Sequence, residues 1–155
     1  LEFGLGSENL SIPGNIRFFG KPNGSVRAFG SFLNNSKIFG ADIDKKILIN
    51  EKNIQTFFCN QLDKNSLINL KNSVPKMDLI IDDGLSRIDS IMNTISIFIN
   101  HLTDGGFMVV EHIEPVYENI IKLYMNYIVS DGSYRSQIIY GTGNSSNLII
   151  QKLLR

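Results

Sequence analysis

The sequence predicts an α/β domain with a mostly parallel sheet that ends in an antiparallel hairpin. Three observations predict it. Apolar runs of strand length recur along the chain, and several are continuous instead of alternating, as where both faces of a parallel sheet are covered. Segments of helical period lie between them. The last two runs are joined only by "GTGNSS", too short for a crossover helix and long enough for a reversal.

The strand runs are "SKIFGAD" (36–42), "IQTFFC" (54–59), "MDLIID" (77–82), "GFMVVE" (106–111), "YRSQIIY" (134–140) and "NLIIQKL" (147–153). Ahead of them the chain opens on what reads as the end of a strand, so the sequence is expected to be a fragment of a longer protein. Residues 25–33 and 66–71 read as short helices. Ile88, Ile91, Met92, Ile95 and Phe98 make one apolar stripe on a helix over 87–100. Val116, Ile120, Leu123, Tyr124 and Tyr127 predict a second stripe on a later helix. Gly141 and Gly143 are expected in the hairpin turn.

With 155 residues and 43% apolar content the chain is read as one domain, residues 1–155. Fifteen basic and fifteen acidic residues cancel, which leaves no electrostatic footprint for nucleic acid. A single cysteine, Cys59, excludes a disulfide framework and a multi-cysteine zinc site; it reads as a core residue in a reducing compartment, so the chain is expected in the cytoplasm. No run is long enough for a membrane span, and none has the build of a signal peptide.

In open α/β sheets ligands sit beyond the carboxyl ends of the strands, near the switch in strand order. At the first such end Glu2 can accept a hydrogen bond from an amine, while Gly4 and Gly6 let the backbone approach a ligand. The residue three after Gly6 is Asn9, so the dinucleotide fingerprint GxGxxG is not met. At the second end Asp42, with Ile43 beside it, is placed to take both hydroxyls of a ribose; its alternative role, a helix cap, suits Asp44 better. Asn60 and Gln61 at the third end could face an adenine edge. Asp82 and Asp83 follow "LII", and Glu111 and His112 follow "FMVV". Two adjacent carboxylates repel unless each finds its own partner, and Asp83, Glu111 and His112 together could bind a divalent cation.

The order and spacing of "LEFGLG", "GKPNGSVRAF", "GADIDKKIL", "TFFCNQLD", "MDLIIDDGLS" and "GGFMVVEHI" resemble class I S-adenosylmethionine-dependent methyltransferases, in particular the macrocin O-methyltransferase and cephalosporin-hydroxylase-like group. The resemblance implies a Rossmann-like sheet and S-adenosyl-L-methionine as cofactor. It places Glu2, Gly4, Gly6 and Ser25 at the amino-acid side of that cofactor, Asp42 and Ile43 at its ribose, Asn60 and Gln61 at the adenine, and Asp82 on the methionine side. It also implies Mg²⁺ on Asp83, Glu111 and His112, with Asp83 and Ser86 at the catalytic positions. The acceptor would be a sugar, a glycan or a glycosylated small molecule, and association with further copies of the chain stays open.

Two positions depart from the pattern. Ser86 stands where relatives carry a histidine base, and His112 stands where they carry aspartate. The mixed oxygen and nitrogen set suits Mn²⁺ or Fe²⁺ at least as well as Mg²⁺. Two other readings stay open: a cofactor-binding member without catalysis, favoured by Ser86 and His112, and a nucleotide-dependent oxidoreductase, disfavoured by the missing third glycine.

Overall fold

The computed structural model describes residues 1–16, 20–141 and 145–154. Among the described residues eight strands form one sheet: β1 (Glu2–Phe3), β2 (Ile38–Asp42), β3 (Asn50–Glu51), β4 (Ile54–Phe58), β5 (Met77–Asp82), β6 (Leu102–Ile113), β7 (Tyr134–Tyr140) and β8 (Ser146–Lys152). Their order is β3-β4-β2-β1-β5-β6-β8-β7. Strands β4, β2, β1, β5 and β6 run parallel, and β8 slots antiparallel between β6 and β7. The reversed carboxyl-terminal hairpin is therefore as expected from the short link. Gly143, expected in its turn, lies outside the described residues.

The chain winds from β1 outward to β2 and β4, then returns to β5 on the other side of β1. That reversal makes β1 and β5 the switch point, where the loops leaving the two strand ends diverge and open a crevice. The strands are connected by helices α1 (Gly24–Phe32), α2 (Lys64–Ser73), α3 (Ile88–Phe98) and α4 (Pro115–Ile128). Short 3-10 turns at Lys45–Ile47 and Ile99–His101 complete the links; Asp44 caps the first through the Lys46 amide, and His101 in the second binds the Val74 carbonyl through Nε2 at 3.0 Å. Among the described residues no helix is long and apolar enough to cross a membrane.

Register assigns each strand residue to a face. Phe3 pairs with Asp82, Ile80 with Met108, and Met108 with Ile150; Phe3 also meets Phe98 of α3 edge to face, so this is the α3 face, and it holds the main core. Glu2 pairs with Ile81, and Ile81 with Val109, on the opposite face, where Ser25 of α1 touches Glu2. Cys59 is buried in the main core, as read from sequence.

The α4 stripe differs from expectation. Ile121 and Met125 are buried and Tyr117, Tyr124 and Ile128 pack on the core, whereas Val116, Leu123 and Tyr127 are more than two-thirds exposed. Both sides of this helix are apolar, so period alone cannot choose between them. Strand β6 also starts earlier than "GFMVVE" suggests, and β3 was not anticipated. Ile121→Ala should lower unfolding stability by about 2 to 5 kcal/mol, and Leu123→Ala should change it by no more than about 0.5 kcal/mol, measured by urea denaturation.

Candidate functional site

A cleft of about 500 Å³ opens over the carboxyl ends of β1, β2, β4, β5 and β6. Gly4 and Gly6 after β1, Asp42 and Ile43 after β2, Asn60 and Gln61 after β4, Asp83 and Ser86 after β5, and His112 near the end of β6 all line it. Glu2, Ser25, Asp82 and Glu111 do not. The sequence reading missed Ile12, Pro13, Gly14 and Ile16, which line the cleft from the long segment after Gly6, and Leu62 and Leu85. Only the length of that segment hinted at such a role. A second hollow, of about 380 Å³, lies between α1 and the starts of β2 and β5, and of the candidate residues it meets Glu2 alone.

The glycine turn is a steric requirement. Gly4 has φ +85°, and a Cβ there would lie 2.1 Å from the Asp83 carbonyl oxygen. Only a residue without a side chain lets β1 and β5 end so close together. The same turn is held by Asp42, whose Oδ2 accepts from the Leu5 amide at 2.7 Å and whose Oδ1 accepts from the Asp44 amide at 2.8 Å. Each oxygen keeps a further lone pair.

Asp82 and Asp83 diverge because successive strand residues face opposite ways. Asp82 points to the α3 face, not into the cleft as the resemblance implied. Its Oδ1 accepts from Gln61 Nε2 at 2.7 Å and from the Gly84 amide at 3.3 Å, and its Oδ2 is buried with no partner. Burial raises its pKa from 3.8 to about 6, against the lowering effect of those hydrogen bonds. Gln61 is committed to the same interior: Nε2 also donates to Thr94 Oγ1, and Oε1 accepts from the Leu85 amide. Its amide works as a brace under the cleft floor and is not free to read an adenine. Asn60 turns its Oδ1 back to the Leu62 amide.

On the other face Glu2, Asp83 and Glu111 stand on three neighbouring strands. Ser25 Oγ donates to Glu2 Oε1 at 2.6 Å, and Glu2 Oε2 is buried without a partner. Burial is the main cause of the raised Glu2 pKa, and the charges of Asp83 and Glu111 add to it. Glu111 is raised by burial and then by Asp83.

His112 reaches this group through a bulge. Val110 pairs with Leu148 and Ile113 with Ser146, so Glu111 and His112 together face Asn147 alone. His112 takes φ 56°, its amide donates to Asn147 Oδ1 at 3.2 Å, and Ile113 returns to the buried core face. Without the extra residue, alternation would turn His112 away from Asp83. With it, His112 Nδ1 sits 2.9 Å from Asp83 Oδ1, and the ligand atoms of Asp83, Glu111 and His112 all lie within 4.8 Å of one another.

No family model matches the chain. The 8-demethyl-8-alpha-L-rhamnosyl tetracenomycin-C 2'-O-methyltransferase of Streptomyces olivaceus is 29% identical over 94 residues, 61% of this chain and 25% of that protein. The demethylmacrocin O-methyltransferase of Streptomyces fradiae is 29% identical over 94 residues, 61% of this chain and 24% of its own length. This chain thus spans about a quarter of the curated relatives it matches. Among solved structures, the MycE methyltransferase of mycinamycin biosynthesis, in complex with Mg, S-adenosylhomocysteine (SAH) and mycinamycin VI, superposes with a TM-score of 0.74 at 20% identity, over 98% of this chain and 44% of that one. The chain has the class I methyltransferase fold. An rRNA methylase from Streptococcus thermophilus shares it at a TM-score of 0.50 and 14% identity, over 76% of each chain, so the fold by itself does not select an acceptor.

The interior carboxylate gives a pH signature. Asp82 binds its proton more tightly folded than unfolded, so its contribution to stability is complete below about pH 4 and is lost as pH rises through about 6. Asp82→Asn should remove on the order of 2 to 3 kcal/mol of that fall between pH 4 and 7, measured by denaturation of both proteins across the range.

Proposed function

We propose that this chain is the S-adenosylmethionine-binding domain of an O-methyltransferase that acts on a hydroxyl of a sugar, a glycan or a glycosylated small molecule, assisted by a divalent cation. The observation that carries the reading is the cleft itself. It joins a glycine turn, the Asp42 carboxylate and an acidic and imidazole group at the switch point of a class I methyltransferase sheet. The curated relatives, each an O-methyltransferase by name, support the activity, and the MycE complexes with SAH and Mg support the two cofactors.

The residues fit the cofactor. The bare Gly4 backbone admits a close ligand, and Asp42 can accept from ribose hydroxyls while two amides hold it still. Bound S-adenosylmethionine supplies an already activated methyl group, so the protein's task is alignment. Asp83, Glu111 and His112 would hold the cation, whose chemistry is to lower the pKa of an acceptor hydroxyl. Ser86 lines the cleft beside them and can orient that hydroxyl by hydrogen bonding, but a neutral serine is a poor base at pH 7. The segment carrying Ile12, Pro13 and Ile16 shields the reacting groups from water.

The even charge balance supports a small or glycosylated acceptor over nucleic acid, and the unpaired, buried Cys59 supports a reducing cytoplasmic setting. Ser86 favours one second reading, a cofactor-binding domain without catalysis. Mass spectrometry of glycosylated acceptors incubated with S-adenosylmethionine separates the two: a mass gain of one methylene supports transfer, and cofactor binding without any gain supports the second reading.

Calorimetry should show binding of SAH and none of NAD. Asp42→Asn should weaken SAH binding by about 1.5 to 3 kcal/mol, because it removes a charged acceptor from the ribose and one of the two acceptors that hold the glycine turn. Unchanged affinity would remove the ribose assignment. Where methyl transfer is detected, EDTA should abolish it and leave SAH binding nearly intact; full turnover in EDTA would remove the cation from the reading.

A further inference from the structure

We propose that the site formed by Asp83, Glu111 and His112 selects a first-row transition ion, of the Mn²⁺ or Fe²⁺ class, over Mg²⁺, with His112 as a nitrogen ligand. The proposal rests on the reading of these residues as a cation site, and it concerns which cation they choose. Mg²⁺ prefers oxygen ligands in a near-ideal octahedron and gives up water reluctantly, whereas imidazole suits transition ions. Replacing one carboxylate by imidazole also removes a negative charge, which weakens a bond that for Mg²⁺ is almost wholly electrostatic.

The structure commits His112 to this site. The two-against-one bulge brings it to the face of Asp83 and Glu111, the Asn147 side chain pins its amide, and its left-handed backbone is held by the return of Ile113 to the core. The 2.9 Å between His112 Nδ1 and Asp83 Oδ1 is close to the separation of about 3 Å between adjacent ligands of an octahedral ion with bonds of about 2.1 Å. Both side chains are about half exposed, so an ion can reach them from the cleft.

A second, independent observation calls for positive charge at this place. Glu2 lies on the same face one alternation step below Asp83, is 6% exposed, and keeps Oε2 unpartnered. Among the described residues no lysine or arginine forms an ion pair with Glu2, Asp83 or Glu111, and the ion pair made there is that of His112 with Asp83. Three carboxylates on neighbouring strands, with one imidazole against Asp83, form a negative cradle that a divalent ion neutralises.

The test uses the chain stripped of metal by EDTA and desalted, with Mn²⁺ as the probe. Free Mn²⁺ is followed by electron paramagnetic resonance during titration, Mg²⁺ is added as competitor, and electron spin echo modulation on the bound ion reads ¹⁴N coupling. The chain has two histidines, and His101 is held by the Val74 carbonyl, so ¹⁴N coupling of imidazole type identifies His112. The proposal expects that coupling in the natural chain, its loss in His112→Asp, and a fall of about tenfold or more in the ratio of Mn²⁺ to Mg²⁺ affinity in that variant. Aspartate tolerates a left-handed backbone, so the variant should fold, and the ¹⁴N measurement on the natural chain needs no variant. Cation binding without nitrogen coupling, or with an unchanged affinity ratio, would overturn the selectivity and leave the cation site standing. No binding of either ion would overturn the cation site as well.

Discussion

The close approach of β1 and β5 at Gly4 is the constraint on which the site depends. A methyl group in place of one glycine hydrogen would run into the Asp83 carbonyl, so the turn exists only because that position carries no side chain. From this contact the rest follows in order. The Leu5 amide reaches Asp42, Asp42 fixes the Asp44 amide, and Asp44 in turn takes the Ser7 hydroxyl and caps the next turn. A short chain of buried carboxylates thus ties the ends of the first two strands to the loop that covers the cleft.

Electrostatics at the strand ends work against folding stability. Asp82 and Glu2 each keep a buried carboxylate oxygen without a partner, and burial raises both pKa values. Local destabilisation of this kind is common where a protein is preorganised for a ligand. The two residues nonetheless play different parts. Asp82, with Gln61 and Thr94, stiffens the floor from the core side, whereas Glu2 stands on the α1 face with Asp83 and Glu111, where cations can relieve it.

The residue types converging at the strand ends were legible in the sequence, because a continuous apolar run followed by charge marks where a parallel strand leaves the core. Glycine spacing and the short link before the last strand carried the sheet's topology. Three features were hidden for physical reasons. The two sides of α4 are equally apolar, so Ile121 and Leu123 exchange roles without any change in period. Gln61 looks like a polar residue at a ligand face until register places Asp82 beneath it. The bulge at His112 has no local sequence signal, because it is set by pairing with Asn147, thirty-five residues away.

The most direct test of the central claim, that cofactor binds at the β1/β5 switch point, is an amide chemical-shift titration of the ¹⁵N-labelled chain with S-adenosylhomocysteine. The largest changes should fall on Gly4, Gly6, Ile43, Asn60 and Leu85, around the cleft. Changes confined to Phe29, Ser36 and Leu79, around the hollow beside α1, or no changes at saturating ligand, would contradict it.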